Sequence, residues 1–237
     1  MAVQTKSNSG DKPQKKDINW TQIGVVCFCV LIVVMCIVSF SGLSTIFNQN
    51  GNATPTGGVV EAGNLVEVEY TMYINNTPMV TSSIDVFNAS SVDKLPAATQ
   101  NLGVIAGQQV DVVNGSAILI NSSYEYPFRM LNQEYNQIAS GVIGLGAGQS
   151  RTVQSTGDYF KTVYTKESAE EMGIDYANWT VGTMGIMNFP TEDATGNVTM
   201  AIRPALVTSK TDEEMVLQYG YDTIDMKVIQ AYTTTTA

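Results

Sequence analysis

The residues with the clearest chemical signature are asparagines in the pattern N-x-[ST], which is the acceptor tripeptide for N-linked glycans in exported proteins. Seven such tripeptides occur after residue 43, where 15 asparagines and 36 serines or threonines would give about three by chance. We therefore predict glycosylation at Asn52, Asn75, Asn88, Asn114, Asn121, Asn178 and Asn197. The alternative is that an Asn- and Thr-rich composition alone produced the excess.

Other reactive side chains are scarce. The chain has no histidine, and its three cysteines lie close together at Cys27, Cys29 and Cys36. The C-x-C spacing of the first two is not a zinc spacing, and no histidine can complete a zinc site. No acid–base pair is visible either, so hydrolytic chemistry has no support. The sequence predicts no metal site and no cofactor.

An uncharged apolar run extends from Ile23 to Leu43. About 20 apolar residues in a helix span the hydrocarbon core of a bilayer, so we predict one transmembrane helix within residues 21–45. The four lysines and two aspartates of residues 1–20 favour a cytoplasmic N-terminal tail, with the remainder outside the cell. A cleaved signal peptide is the alternative, although its apolar region is usually only about 7–15 residues long.

Charge narrows the choice of partners. The formal net charge of the chain at pH 7 is −10. The N-terminal tail contributes +2, so the part beyond the predicted span has a net charge of −12. A surface of this sign repels phosphate backbones and anionic lipid head groups. We therefore predict no nucleic-acid partner.

The part beyond the span reads mainly as strands, which predicts an α+β fold dominated by β-structure. Residues 46–62 are polar and glycine-rich and indicate a linker, and residues 233–237 form a Thr-rich tail. Leu65 to Ile74 alternates apolar and polar residues, which is the period of a half-buried strand followed by a turn at Asn75-Asn76. Residues 133–141 form the main helix candidate, with Gly141 as its C-cap. Further strands are predicted at 150–153, 197–207, 214–218 and 224–231, and a hairpin around Asn114-Gly115 within 109–120.

Six motifs in this order resemble the FKBP family of peptidyl-prolyl isomerases. They are the first core strand at 63–71 (GNLVEVEYT), the F-D-S-S segment at 78–83, the P-F-x-F-x-L strand at 127–131, the helix end, glycine loop and strand at 140–153, the A-Y-G tyrosine at Tyr159, and the final strand at 224–229. The resemblance implies an antiparallel sheet around a short helix, formed by residues 63–159 and 223–232.

Two insertions depart from the minimal domain of that family. Residues 84–126 have no recognised counterpart. Residues 160–222 resemble the insert-in-flap domain of SlyD-like and archaeal-type members, through Val163 to Ser168, Val181 to Gly185, and the Thr211-Asp-Glu-Glu segment. In those members the insert is a small β-domain that binds unfolded chains.

The resemblance also implies a site for proline-containing chains. Rotation about the peptide C–N bond has a barrier of about 18–20 kcal/mol, and an apolar pocket that favours the twisted amide lowers it without a nucleophile or a metal. The implied catalytic residues are Tyr159, Tyr70 and Phe128. The implied substrate-binding residues are Val80, Thr81, Tyr135, Ile138 and Ile224.

Three of these positions depart from the family pattern. Val80 stands where the family usually has Phe, Thr81 where it has Asp, and Ile224 where it has an aromatic residue. These changes predict a shallower and less aromatic cleft. Tyr70, Phe128 and Ile138 also fit the ordinary core of a β-domain.

These observations predict a single-pass protein of the cell membrane whose outer domain is an FKBP-type isomerase or folding chaperone. Its expected partners are proline-containing or unfolded polypeptides. The alternative is a non-catalytic FKBP-like domain that serves as a binding or structural subunit of a cell-surface or membrane complex.

Overall fold

Two mixed β-sheets and three short helices make up the part of the chain that the computed structural model describes, namely residues 53–55, 57–91, 94–111, 117–155, 160–192 and 198–234. These residues all belong to one compact unit, 52–237. The α+β, β-dominated class predicted from the sequence is confirmed. None of the helices in these ranges is long and apolar enough to span a bilayer, and the predicted span from Ile23 to Leu43 lies outside them.

The elements follow one another with short connections. The strands are β1 (Ala53–Pro55), β2 (Leu65–Ile74), β3 (Thr77–Thr81), β4 (Ala97–Ala98), β5 (Leu102–Ile105), β6 (Ala117–Ile120), β7 (Phe128–Leu131), β8 (Ser150–Gln154), β9 (Lys161–Thr165), β10 (Met184–Glu192), β11 (Val198–Lys210), β12 (Glu214–Gln218) and β13 (Thr223–Thr234). The helices are α1 (Ile84–Ala89), α2 (Asn132–Gly141) and α3 (Lys166–Glu171).

The first sheet is built around β2, whose bounds agree with the prediction. β2 pairs with β13 along one edge and with β3 and β5 along the other, while β1 and β8 pair with β13 and β4 pairs with β3. The alternation of β2 turns Val66, Val68 and Tyr70 into the core. The predicted turn is confirmed, because Asn75 and Asn76 have φ of 48° and 61°, as a tight hairpin turn requires.

The second sheet has the order β6-β7-β11-β12-β9, with β10 paired along the other edge of β11. β11 is the longest strand and contacts β7 in parallel at Ile202 and Phe128. One side of this sheet covers a small second core, formed by Tyr164, Ala169, Tyr176, Ala205, Val207, Met215 and Leu217. The larger core lies between the first sheet, α2 and the ends of β7 and β11.

Helix α2 packs on β13, and its last residue corrects one prediction. Gly141 is helical and is not the C-cap, which is Val142. A Cβ at Gly141 would lie 2.7 Å from the sulfur of Met226, so the glycine allows helix and sheet to approach closely. A glycine with the left-handed backbone conformation that is typical of a helix C-terminus occurs three residues later, at Gly144, where φ is 82°.

Two other segments differ from expectation. The ordered body begins before Gly63, because Ala53–Pro55 pairs with β13 and the buried Val60 donates its N–H to the carbonyl of Leu145. The predicted hairpin partner of β6 is also absent from residues 109–111. The side chain of Asn136 bonds both the N–H and the C=O of Val110, so these groups are not available for strand pairing there. β6 pairs with β7 instead.

Candidate functional site

Seven of the eight predicted pocket residues lie in the described structure, and all seven are buried. Their exposed fractions are between 0% and 8%. They come from four strands and one helix, namely Tyr70 on β2, Val80 and Thr81 on β3, Phe128 on β7, Tyr135 and Ile138 on α2, and Ile224 on β13. Six of the seven, all but Thr81, belong to the larger core. These six residues therefore share one core, in which they are packed side chains and not the wall of an open cleft.

The polar groups among them are satisfied inside the protein. The Tyr70 hydroxyl shares a 2.8 Å hydrogen bond with the hydroxyl of Thr99. Thr81, where the resemblance implies an aspartate, bonds the hydroxyl of Thr71 at 2.7 Å and accepts the N–H of Ser83 at 3.0 Å. Burial raises the pKa of Tyr70, so the phenol remains neutral at any physiological pH.

The eighth residue, Tyr159, lies outside the described residues. So do the sequon asparagines Asn52, Asn114 and Asn197. The other four sequon asparagines, Asn75, Asn88, Asn121 and Asn178, are exposed.

A buried ion pair, which the sequence analysis did not identify, joins α2 to β11. Arg203 donates through Nη1 and Nη2 to the two carboxylate oxygens of Glu134, at 3.0 and 2.7 Å. The same guanidinium donates to the carbonyls of Arg129 and Tyr219 and lies 4.6 Å from the ring centre of Tyr221. Burial alone would lower the pKa of Arg203, but the carboxylate of Glu134 raises it, so the charge is retained. Because both side chains are buried, a ligand cannot reach this ion pair, and its role is to position α2 relative to β11.

An open groove with a volume of about 980 Å³ lies where the end of the first sheet meets one face of the second. Its lining comes from Asn75, Gln154, Ser155, Lys161, Val163, Thr208, Ser209, Val216, Gln218 and Asp222. None of these residues was predicted as part of a binding site, although Asn75 was predicted as a glycosylation site. The signal that could have found them is the period of residues 161–165, which places Lys161 and Val163 on one face and Tyr164 on the other.

The groove combines an apolar strip with a fixed carboxylate. Val163 on β9 lies directly opposite Val216 on β12, and Val163 is 56% exposed. At the end of the first sheet, Asp222 accepts the N–H of Asn75 at 2.7 Å and the side-chain amide of Gln218 at 2.6 Å. Apolar centre and polar rim are the usual composition of a surface that binds another chain.

Beside this groove, the outer edge of strand β9 presents the backbone groups of Val163, which no described strand pairs with. Phe160 accepts the N–H of Tyr219, and Lys166 donates to Glu213, so the even-numbered residues of β9 bond to β12. In an antiparallel pair the alternate residues point their N–H and C=O the other way, which directs those of Val163 outward. No strand of the described structure pairs with this outer edge. Val163 therefore presents both an apolar side chain and a free strand edge.

The described residues contain no group of three side chains suited to holding a metal ion. The groove contains no cysteine, and its hydroxyls belong to Ser155, Thr208 and Ser209, beside no imidazole because the chain has none. The arrangement can bind an extended chain through backbone hydrogen bonds, and it offers no activated nucleophile.

No protein-family model matches the chain, and no curated protein is significantly similar to it.

Proposed function

We propose that this chain is a membrane-anchored, outward-facing FKBP-like protein that binds extended or unfolded polypeptides and acts as a folding helper. The observation that carries the proposal is the open edge of β9, where Val163 is exposed beside the groove. The described residues that the resemblance assigns to the isomerase pocket are buried, so a substrate does not reach them in this structure. Their burial supports a binding role at β9 more than a catalytic role at the pocket.

Strand addition suits a protein that must hold many different chains. An extended polypeptide laid beside β9 pairs its backbone with the N–H and C=O of Val163, and these bonds do not depend on the bound sequence. Alternate side chains of the bound chain then lie beside the exposed Val163, which favours apolar residues. The small second core behind β9 and β12 holds this edge in place.

Substitution of Val163 by proline tests the proposal. Proline removes the outward N–H but leaves the bonds between β9 and β12, because those belong to even-numbered residues. We expect the full chain in lipid nanodiscs to bind a permanently unfolded, fluorescently labelled polypeptide, and Val163→Pro to weaken this binding at least about tenfold.

Met172→Ser is the matched control. Met172 is 68% exposed and follows α3, but it does not line the groove. Its replacement should leave the affinity unchanged. Equal binding by wild type and Val163→Pro would refute strand addition at β9.

Isomerisation of X-Pro bonds is the second candidate function. It is favoured by the convergence of Tyr70, Val80, Phe128, Ile138 and Ile224 on one cluster, in the chain order that the resemblance implies. The test is acceleration of a proline-limited refolding phase by micromolar full chain. Tyr159→Phe should reduce any acceleration, and Tyr124→Phe, which alters an exposed phenol, should not. If wild type gives no acceleration, binding is the function that remains.

A further inference from the structure

Residues 94–101, here named the strap, run along the outer edge of β3 and cover Tyr70. Within the strap, β4 pairs in parallel with β3, with Ala97 beside Val80 and Ala98 beside Thr81. Thr99 then donates its N–H to the carbonyl of Thr81 at 2.8 Å, and its hydroxyl bonds the Tyr70 hydroxyl at 2.8 Å. The strap is thus bonded to two of the positions that the resemblance assigns to the pocket, Tyr70 and Thr81, and lies beside a third, Val80.

The strap buries little apolar surface, although Asn101 at its end donates to the carboxylate of Glu67 at 2.8 Å and Thr99 forms an isolated bridge with Ser122. Pro96 and Ala97 are its only buried residues, and both have small side chains. On its outer side Ser123 contacts Ala98, donating its N–H to the carbonyl at 2.8 Å and accepting the N–H of Ala98 at 3.2 Å. A two-residue edge strand that buries so little apolar surface belongs to the parts of a protein that open locally before the core does.

The surface beneath the strap has the properties of a polypeptide site. Removal of the strap would leave a phenol hydroxyl without its partner, together with the backbone edge of β3 at Val80 and Thr81. An extended chain that follows this edge finds the same bonds that the strap now makes. The strap is itself such a chain, since it is extended and contains an X-Pro bond at Leu95-Pro96.

We propose that the strap is a built-in occupant of a second polypeptide-binding surface, formed by the edge of β3 and Tyr70, and that its displacement opens this surface to X-Pro-containing chains. The inference rests on the proposed polypeptide-binding function for the nature of the ligand. The opening of the strap is independent of that function and is measured separately.

Thr99→Pro in the full chain is the central variant, because it removes both the N–H that bonds Thr81 and the hydroxyl that bonds Tyr70. Thr99→Ser keeps both bonds and is the matched control. Nitration of tyrosines followed by mass spectrometry reports the accessibility of Tyr70. We expect Tyr70 to react at least about tenfold faster in Thr99→Pro than in wild type, with Thr99→Ser close to wild type. A folded Thr99→Pro protein whose Tyr70 stays unreactive would overturn the proposal.

Peptide binding is then measured in the Val163→Pro background, in which the groove at β9 is disabled. We expect a fluorescent Ala-Leu-Pro-Ala peptide to bind Val163→Pro/Thr99→Pro at least about tenfold more tightly than Val163→Pro alone. If Tyr70 becomes reactive but peptide binding does not increase, the proposal of a second binding surface is overturned. The effect of Val163→Pro alone tests only the proposed function at β9.

Native-state hydrogen exchange of the wild-type protein gives a result even if Thr99→Pro does not fold. The Thr99 amide should exchange at least about tenfold faster than the amide of Val68 in the centre of β2. Equal exchange of the two amides through global unfolding would contradict an openable strap.

Discussion

Arg203 and Glu134 illustrate how single residues hold helix α2 against the second sheet. Glu134 accepts the N–H of Leu131 at the start of α2 and both guanidinium nitrogens of Arg203, so its carboxylate is saturated with donors. A buried pair of this kind adds little net stability relative to apolar residues, but either charge alone is costly. We infer that the pair specifies how α2 docks against β11.

Removal of one partner should therefore be more harmful than removal of both. Glu134→Leu and Arg203→Met should each lower the free energy of unfolding by about 3–5 kcal/mol, because each leaves a buried group unpaired. The double variant should recover much of this loss. Urea unfolding of all four proteins measures the coupling, and strictly additive losses would show that the pair does not act as a unit.

Two buried tyrosines, Tyr70 and Tyr221, should make the free energy of unfolding depend on pH in the alkaline range. Burial raises the pKa of Tyr70 and of Tyr221 above the ordinary 10.0, whereas in the unfolded chain both phenols ionise near that value. Their contribution is therefore fully present below pH 10 and is lost as pH rises further, by at most about 1.4 kcal/mol per pH unit for each group.

Tyr70→Phe removes one of these groups and tests the sign. Urea unfolding between pH 8 and 11 should show a shallower alkaline decline in this variant than in wild type, even though its stability at pH 8 is lower for loss of the Thr99 bond. An unchanged slope would mean that Tyr70 is not buried as described.

At the scale of elements, the sequence predicts best where a regular pattern coincides with burial. Alternation or helical spacing predicts β2, β12, β13 and α2, because it marks their buried faces. β8 is also predicted, although none of its side chains is buried. β10 was missed, since none of its described side chains is buried and Pro190 interrupts it. The groove could not be predicted, because it depends on the pairing of β9 with β12, which are distant in sequence.

A close packing contact in the second sheet gives a test of β10. A Cβ at Gly185 would lie 2.5 and 2.9 Å from ring atoms of Trp179, and a rigid indole cannot adjust as a methionine end can. Gly185→Ala should lower the free energy of unfolding by about 1–3 kcal/mol and shift the emission of Trp179 to the red. Gly103→Ala is the control, since nothing lies within 4 Å of its Cβ position. Equal effects would contradict the contact.

At the scale of the whole molecule, the proposal joins a single membrane anchor to an acidic outer domain with exposed sequons. The full chain should stay with membranes during alkaline carbonate extraction, and external protease should digest residues 53–237 in intact cells. In a host with the glycosylation machinery, glycopeptides should appear at the exposed Asn75, Asn88, Asn121 and Asn178. Release by carbonate would contradict the anchor.

The most direct test of the central claim is amide hydrogen exchange of the full chain with and without a saturating unfolded polypeptide. Strand addition predicts that the outward amide of Val163 becomes protected, while the amide of Thr162, which already bonds β12, stays unchanged. Saturating polypeptide that leaves the Val163 amide as exposed as before would contradict the account.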